Sequence, residues 1–179
     1  MRIAVFCSAS VKVAPLLLSE IEMLGEQLAR DGHVIVYGGA NVGAMGALAQ
    51  GVLSVGGTLI GVVPELDFMQ GLVQEGLTEQ HVVPTLSSRK EVMIQQADGF
   101  LVYPGGLGTL DEALEVLALK SLGSLQKPVV FYNFLHVWSP FLESLQLLVE
   151  QGLVRDSLSD LLQVLDNSEQ VREYFKNAV

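Results

Sequence analysis

Cysteine is almost missing from this chain, and what little there is excludes a disulfide framework: Cys7 has no partner. Positive charge is also scarce. Ten Lys and Arg stand against twenty Asp and Glu, a formal charge of −10, which argues against nucleic acid or an anionic membrane surface as a partner. No apolar run is long enough to span a bilayer, and no signal peptide precedes the first strand, so the cytoplasm is the expected setting. Low-complexity and linker-like stretches are absent too. What remains is a chain of 179 residues, half of them hydrophobic, which we expect to fold as a single domain over 1–179.

Apolar runs alternate with helical patterns. Ile3–Cys7, Val34–Tyr37, Thr58–Val63, His81–Val83, Gly99–Tyr103, Pro128–Tyr132 and Leu161–Leu165 read as strands. Most are uninterrupted apolar runs, the pattern of strands buried on both faces and paired in parallel. Between them, Leu17/Ile21/Leu24/Leu28, Ala47/Leu48/Val52/Val55, Leu110/Leu114/Leu117/Ser121 and Phe141/Leu145/Leu148 recur at helical spacing. A last helix carries Val171, Tyr174, Phe175 and Ala178, with Asp166 or Ser168 as its cap. Glu65–Gln80 has no clear period and reads as an exposed loop with a helical turn. The alternation predicts an α/β fold, Rossmann-like and doubly wound, with a mainly parallel sheet and helices on both faces.

Tyr103-Pro-Gly-Gly-Leu-Gly-Thr-Leu-Asp-Glu112 lies where a strand gives way to a helix. Gly105, Gly106 and Gly108 lack side chains, so the turn has access to positive φ and a ligand has access to the backbone. The first amides of the helix are unpaired and lie at the positive end of its dipole, an anion site suited to phosphate. Thr109-Leu-Asp-Glu112 equally spells a capping box, in which Glu112 serves only the helix start. A second glycine loop, Gly38-Gly-Ala-Asn-Val-Gly-Ala-Met-Gly46, follows the second strand. It is neither a P-loop nor a good dinucleotide fingerprint. Ser88-Arg-Lys-Glu91 spells another capping box, placing Arg89 and Lys90 on a first helical turn. Cations are disfavoured there unless an anion meets them; the alternative is simple solvation.

The catalytic options are few. His33, His81 and His136 fall at no ligand spacing, Cys7 has no cysteine partner, and no acidic cluster marks a magnesium site, so neither metal nor other cofactor is expected. Ser8 and Ser10 lack an evident histidine base. Glu112, Asp111 and Arg89 are left near the glycines. A carboxylate facing a phosphate-anchored sugar suits a reaction that develops positive charge at C1, and glycosidic cleavage of a nucleotide fits these parts.

Pro104-Gly-Gly-Leu-Gly-Thr-Leu-Asp-Glu112 matches the Pro-Gly-Gly-x-Gly-Thr-x-x-Glu motif of a known family. Arg89-Lys-Glu-Val-Met93 matches its Arg-Lys-x-x-Met. The chain thus resembles the Lonely Guy family of cytokinin riboside 5′-monophosphate phosphoribohydrolases, often mislabelled lysine decarboxylases. The resemblance implies that Arg89 and Glu112 are the catalytic pair. It places Ser8, Gly38, Gly39, Gly43, Met45, Gly46 and Lys90, with Gly105, Gly106, Leu107, Gly108 and Thr109, around the phosphate and ribose of an AMP-like substrate. It also implies a homodimer. The first turn departs from the family's usual Cys-Gly-Ser-Ser, reading Cys7-Ser-Ala-Ser10. The other reading is a binding module, because the related molybdenum-cofactor carriers share a similar glycine-rich fold and bind an anionic ligand without turning it over.

Overall fold

Among the described residues, seven strands form one parallel sheet in the order β4-β3-β2-β1-β5-β6-β7. The computed structural model describes residues 1–178, save the side chain of Phe68. The strands are β1 (Arg2–Phe6), β2 (Val34–Tyr37), β3 (Leu59–Pro64), β4 (Glu79–Val83), β5 (Gly99–Val102), β6 (Val129–Tyr132) and β7 (Gln163–Leu165). The helices are α1 (Pro15–Arg30), α2 (Gly43–Ser54), α3 (Leu86–Gln96), α4 (Leu107–Ser121), α5 (Ser139–Glu150), α6 (Leu158–Leu161) and α7 (Ser168–Asn177). The chain winds outward from β1 to β4, then returns to lay β5 against the other side of β1. That reversal is the switch point of a Rossmann-like sheet, and it opens a crevice beyond the carboxyl ends of β1 and β5.

Alternation along β1 shows why the strand must be apolar throughout. Ile3, Val5 and Cys7 face one core with Ile21 and Leu24 of α1, Leu48 of α2 and Phe175 of α7. Ala4 and Phe6 face the other, with Met93 of α3, Val116 of α4 and Leu142 of α5. Each fully buried Ile or Phe adds about 1.5–3 kcal/mol, so this two-faced burial fixes the strand order. On the first face α1 and α2 meet backbone to backbone. A Cβ at Gly51 would lie 1.9 Å from the Glu22 carbonyl oxygen, and one at Gly25 would lie 2.8 Å from that of Leu48.

Five strands follow the expected pattern to within a residue, β4 begins at Glu79, two residues inside the stretch expected as loop, and the helix starts differ. α3 begins earlier than Ser88 because Thr85 caps it: its hydroxyl accepts the Ser88 amide, while the Ser88 hydroxyl accepts the Thr85 amide. Arg89 and Lys90 consequently lie on the second turn. α4 starts behind Gly106 rather than at Thr109. α7 is capped by Asn167, whose side chain accepts the Gln170 amide at 3.0 Å, and not by Asp166 or Ser168. Leu161 closes α6, leaving only Gln163–Leu165 to β7. The stretch after β3 holds a helical turn at Asp67–Met69, then pairs Val73 with Ala40 and so straps the loop after β2.

Candidate active site

Glu112 lies on the inward face of α4. That face is Thr109, Glu112, Ala113, Val116 and Leu117, whereas Leu114, expected inside, is 44% exposed. The inward stripe therefore carries a carboxylate, and its side chain is 2% exposed. No side-chain cap closes α4, so the capping-box reading of Thr109 and Glu112 fails. Thr109 instead packs its hydroxyl against Gly105, where a Cβ would come within 2.1 Å of the Thr109 Oγ1.

Arg89 reaches across from α3 and donates from Nη2 to Glu112 Oε1. Burial pushes the Glu112 carboxyl up to about 7; the Arg89 charge opposes that rise and the neighbouring Asp111 adds to it. A buried ion pair is a poor source of stability, because desolvating both charges offsets most of their attraction. Its presence here points to chemistry rather than to packing. Cys7 lies beside the pair, 2% exposed. Burial pushes its thiol far above the usual range, with Glu112 adding to the effect and Arg89 opposing it, so it is no nucleophile.

A cavity of about 350 Å³ opens over the pair. Its walls are Cys7, Ser8 and Ala9 after β1, Met45 of α2, Leu86 and Arg89 of α3, and Gly106, Leu107, Gly108, Thr109, Asp111 and Glu112 at the start of α4. The backbone ladder of α4 begins with the Leu110 amide bonded to the Gly106 carbonyl, so the amides of Leu107, Gly108 and Thr109 precede it. These donors, at the positive end of a fifteen-residue helix, suit an anion. Among the described residues, a Cβ at Gly106 or Gly108 would meet nothing within 4 Å beyond its chain neighbours and the backbone of its own helix. Neither these glycines nor Gly105 has positive φ, contrary to expectation. At Gly106 and Gly108 smallness leaves the cavity open, whereas at Gly105 it makes room for Thr109.

Ser8, Met45, Arg89, Gly106, Leu107, Gly108, Thr109 and Glu112 are thus brought together. The other expected residues do not line that cavity. Gly43 and Gly46 line a separate cavity with Asn41, Gln50 and Gln74. Gly39 has φ +80° and is crowded by Val63, so it serves the turn. Gly38 lies beneath the Arg89 guanidinium. Lys90 turns away and pairs with Asp111 at 2.9 Å and Glu115 at 2.6 Å, clamping α3 to α4. Its burial depresses the ammonium, yet Glu115 and Asp111 hold it above its usual range. Ala9 and Leu86 were missed. Ala9 could have been inferred from its place after the strand at the switch point, but nothing in the sequence marks Leu86.

Residues 45–175 match the family described as possible lysine decarboxylase. The cytokinin riboside 5′-monophosphate phosphoribohydrolase of Rhodococcoides fascians is 37% identical over 153 residues, covering 85% of this chain and 77% of the relative. The protein of the same name from Mycobacterium tuberculosis is 34% identical over 171 residues, covering 92% and 88%. Among solved structures, the molybdenum cofactor carrier protein of Chlamydomonas reinhardtii superposes with a TM-score of 0.76 at 23% identity, over 99% of this chain and 96% of that one. That likeness speaks for the fold alone. The two motifs that meet at the Arg89–Glu112 pair and the match along most of the length lead to one conclusion: the chain belongs to the Lonely Guy family, whose members include these phosphoribohydrolases.

Proposed function

We propose that this protein hydrolyses the N-glycosidic bond of nucleoside 5′-monophosphates, of adenine or cytokinin type, giving free base and ribose 5-phosphate. The observation that carries the reading is the Arg89–Glu112 pair, its carboxylate buried, at the floor of a cavity walled by the first amides of α4. In this reading those amides hold the 5′-phosphate and set the ribose over Glu112. As the C1–N bond breaks, its electrons leave with the base and positive charge grows on the sugar, where the Glu112 carboxylate stabilises it. Water then adds to C1 and gives up a proton to Glu112, which passes it on to the departing base, so that the sugar gains the hydroxyl and the base the hydrogen. Arg89 keeps the carboxylate aimed and depresses its proton affinity, so that enough of it is ionised near neutral pH.

A carrier that only binds its ligand is the other reading, and the structural neighbours at 23% identity do not argue for it beyond the fold. Adenine release decides between them. AMP is expected to be cleaved, and adenosine to be worse in kcat/KM by roughly a hundredfold, since each lost decade corresponds to about 1.4 kcal/mol of phosphate binding. No release from AMP or from its N6-isopentenyl analogue means a carrier; equal values for AMP and adenosine mean that the α4 amides hold no phosphate.

We also infer one domain over 1–179, a cytoplasmic setting and a homodimer. The dimer is supported by an apolar face on α4, α5 and the following turn, where Leu114, Leu122, Leu148 and Leu153 are 40–73% exposed around a groove of about 370 Å³. Light scattering at micromolar concentration is expected to give twice the 19.3 kDa chain mass; monomer alone removes the claim. Among the described residues no helix is long and apolar enough to cross a membrane.

A further inference from the structure

We propose that Gly38 and Met45 are positioning residues for Arg89, forming a seat that turns its guanidinium toward Glu112. Gly38 is the first residue beyond β2, and its backbone lies outside the left-handed region that Gly39 occupies. Conformation therefore does not require glycine at 38. Space does. A Cβ there would lie 3.0 Å from Met45 Cε, 3.2 Å from Met45 Sδ and 3.1 Å from Arg89 Nη1. All three distances fall inside ordinary van der Waals contact, so the guanidinium rests on bare backbone with the thioether beside it.

The rest of Arg89 explains the need for a seat. Nη2 is held by Glu112, but Nε is buried with no hydrogen-bond partner among the described residues. A planar fork held through one nitrogen can swing about that bond unless packing stops it. Methionine suits the task, because its flexible thioether fills an irregular gap. The seat is itself anchored: the Met45 amide donates to the Ser8 carbonyl at 3.1 Å, tying the first turn of α2 to the loop after β1. Gly38 and Met45 thus act on the substrate through Arg89.

Gly38→Ala tests this, because the new methyl meets the ends of two flexible side chains and the fold has room to keep its shape. The groups facing Glu112 are Arg89 and Lys90 from α3, Asp111 from its own helix and Cys7 from the loop after β1. Only Arg89 is in contact with the substituted position. The first readout needs no substrate: the Glu112 carboxyl is titrated in the free protein by ¹³C NMR, its resonance assigned by its absence in Glu112→Gln. Withdrawing the guanidinium is expected to raise the midpoint by roughly one unit, the low end for losing an adjacent opposite charge. Met45→Ala, which opens the other side of the seat, should shift it the same way.

The second readout rests on the proposed activity. kcat/KM for AMP is expected to fall about fivefold in Gly38→Ala at pH 7 and to recover nearly all of that at pH 9, as a midpoint moved one unit up from about 7 implies. A Glu112 midpoint that moves in neither variant overturns the seat, whatever the activity does. If wild-type protein leaves both AMP and its N6-isopentenyl analogue intact, the functional reading fails while the titration still decides the positioning claim.

Discussion

Gly43 and Gly46 after β2, and Gly106 and Gly108 after β5, occupy equivalent places at the first turn of a helix. Their surroundings are opposite. A Cβ at Gly43 would come 2.6 Å from the Ser10 carbonyl oxygen, and one at Gly46 would come 2.4 Å from that of Asn41. Gly43 also has φ +60°. The first loop needs glycine because the protein fills the space. In the second, Gly106 and Gly108 meet nothing and take ordinary backbone angles. The second loop needs glycine because the protein leaves that space open beside the Arg89–Glu112 pair. One loop is part of the packing and serves the site through Arg89; the other borders the cavity directly. Glycine spacing in a sequence does not separate these two uses, whereas the nearest neighbours of an imagined Cβ do.

The largest effect separating the regions is expected at Glu112. Glu112→Gln should lower kcat/KM for AMP by about 10²–10³-fold, the usual loss when a charge-stabilising group is neutralised. Stability should change little. Above pH 7 the ionised, buried carboxylate costs on the order of 3 kcal/mol relative to its protonated form, which the amide relieves. That figure is already net of the attraction of Arg89, and the amide oxygen still accepts the Arg89 N–H, so the substitution should cost no stability above pH 7. The sign of the pH dependence follows. Because the folded carboxyl titrates at about 7 against an ordinary 4.5, the stability gained from its protonation is full below 4.5 and lost as pH rises through 7. Activity runs the other way, and wild-type kcat/KM should rise as pH increases through about 7. An acid limb near 4.5 would mean that burial does not govern this carboxyl.

Much of this was legible in the chain itself, for reasons particular to each element. β2 is the apolar run Val34–Tyr37, and β1, β3, β5 and β6 lie within a residue of theirs, because burial on both faces leaves an uninterrupted signal. Helix starts were harder. Thr85 and Ser88 both qualify as caps, as do Asp166, Asn167 and Ser168, and only the hydrogen bonds choose among them. Arg89 and Glu112 stood out through their motifs, but the burial of Glu112 did not, because the leucines of α4 advertise a different inward face. Lys90 looked like a phosphate ligand, since its partners Asp111 and Glu115 lie on another helix and no local pattern connects them.

A paired substitution carries the comparison to its smaller effects. Gly46→Ala presses a methyl onto the Asn41 backbone, 2.4 Å from its oxygen and 2.5 Å from its carbon, and backbone there cannot swing aside as a side-chain end does. Overpacking of this kind costs about 2–3 kcal/mol. In a chain of this size that is a fall in Tm of roughly 5–10 °C, at about 2–4 °C per kcal/mol. Gly106→Ala puts the same methyl into open space at φ −101°, an angle alanine accepts. Its Tm should hold or rise slightly, since alanine reduces the freedom of the unfolded chain by about 0.4–1 kcal/mol. Its cost should appear in KM for AMP, raised about tenfold if the methyl displaces one good contact to phosphate, about 1.5 kcal/mol. Thermal melts and Michaelis curves on the two proteins should therefore move in opposite columns. If Gly106→Ala leaves KM where it was, the space beside it is not where the ligand lies. If Gly46→Ala raises KM without lowering Tm, the first loop touches substrate after all.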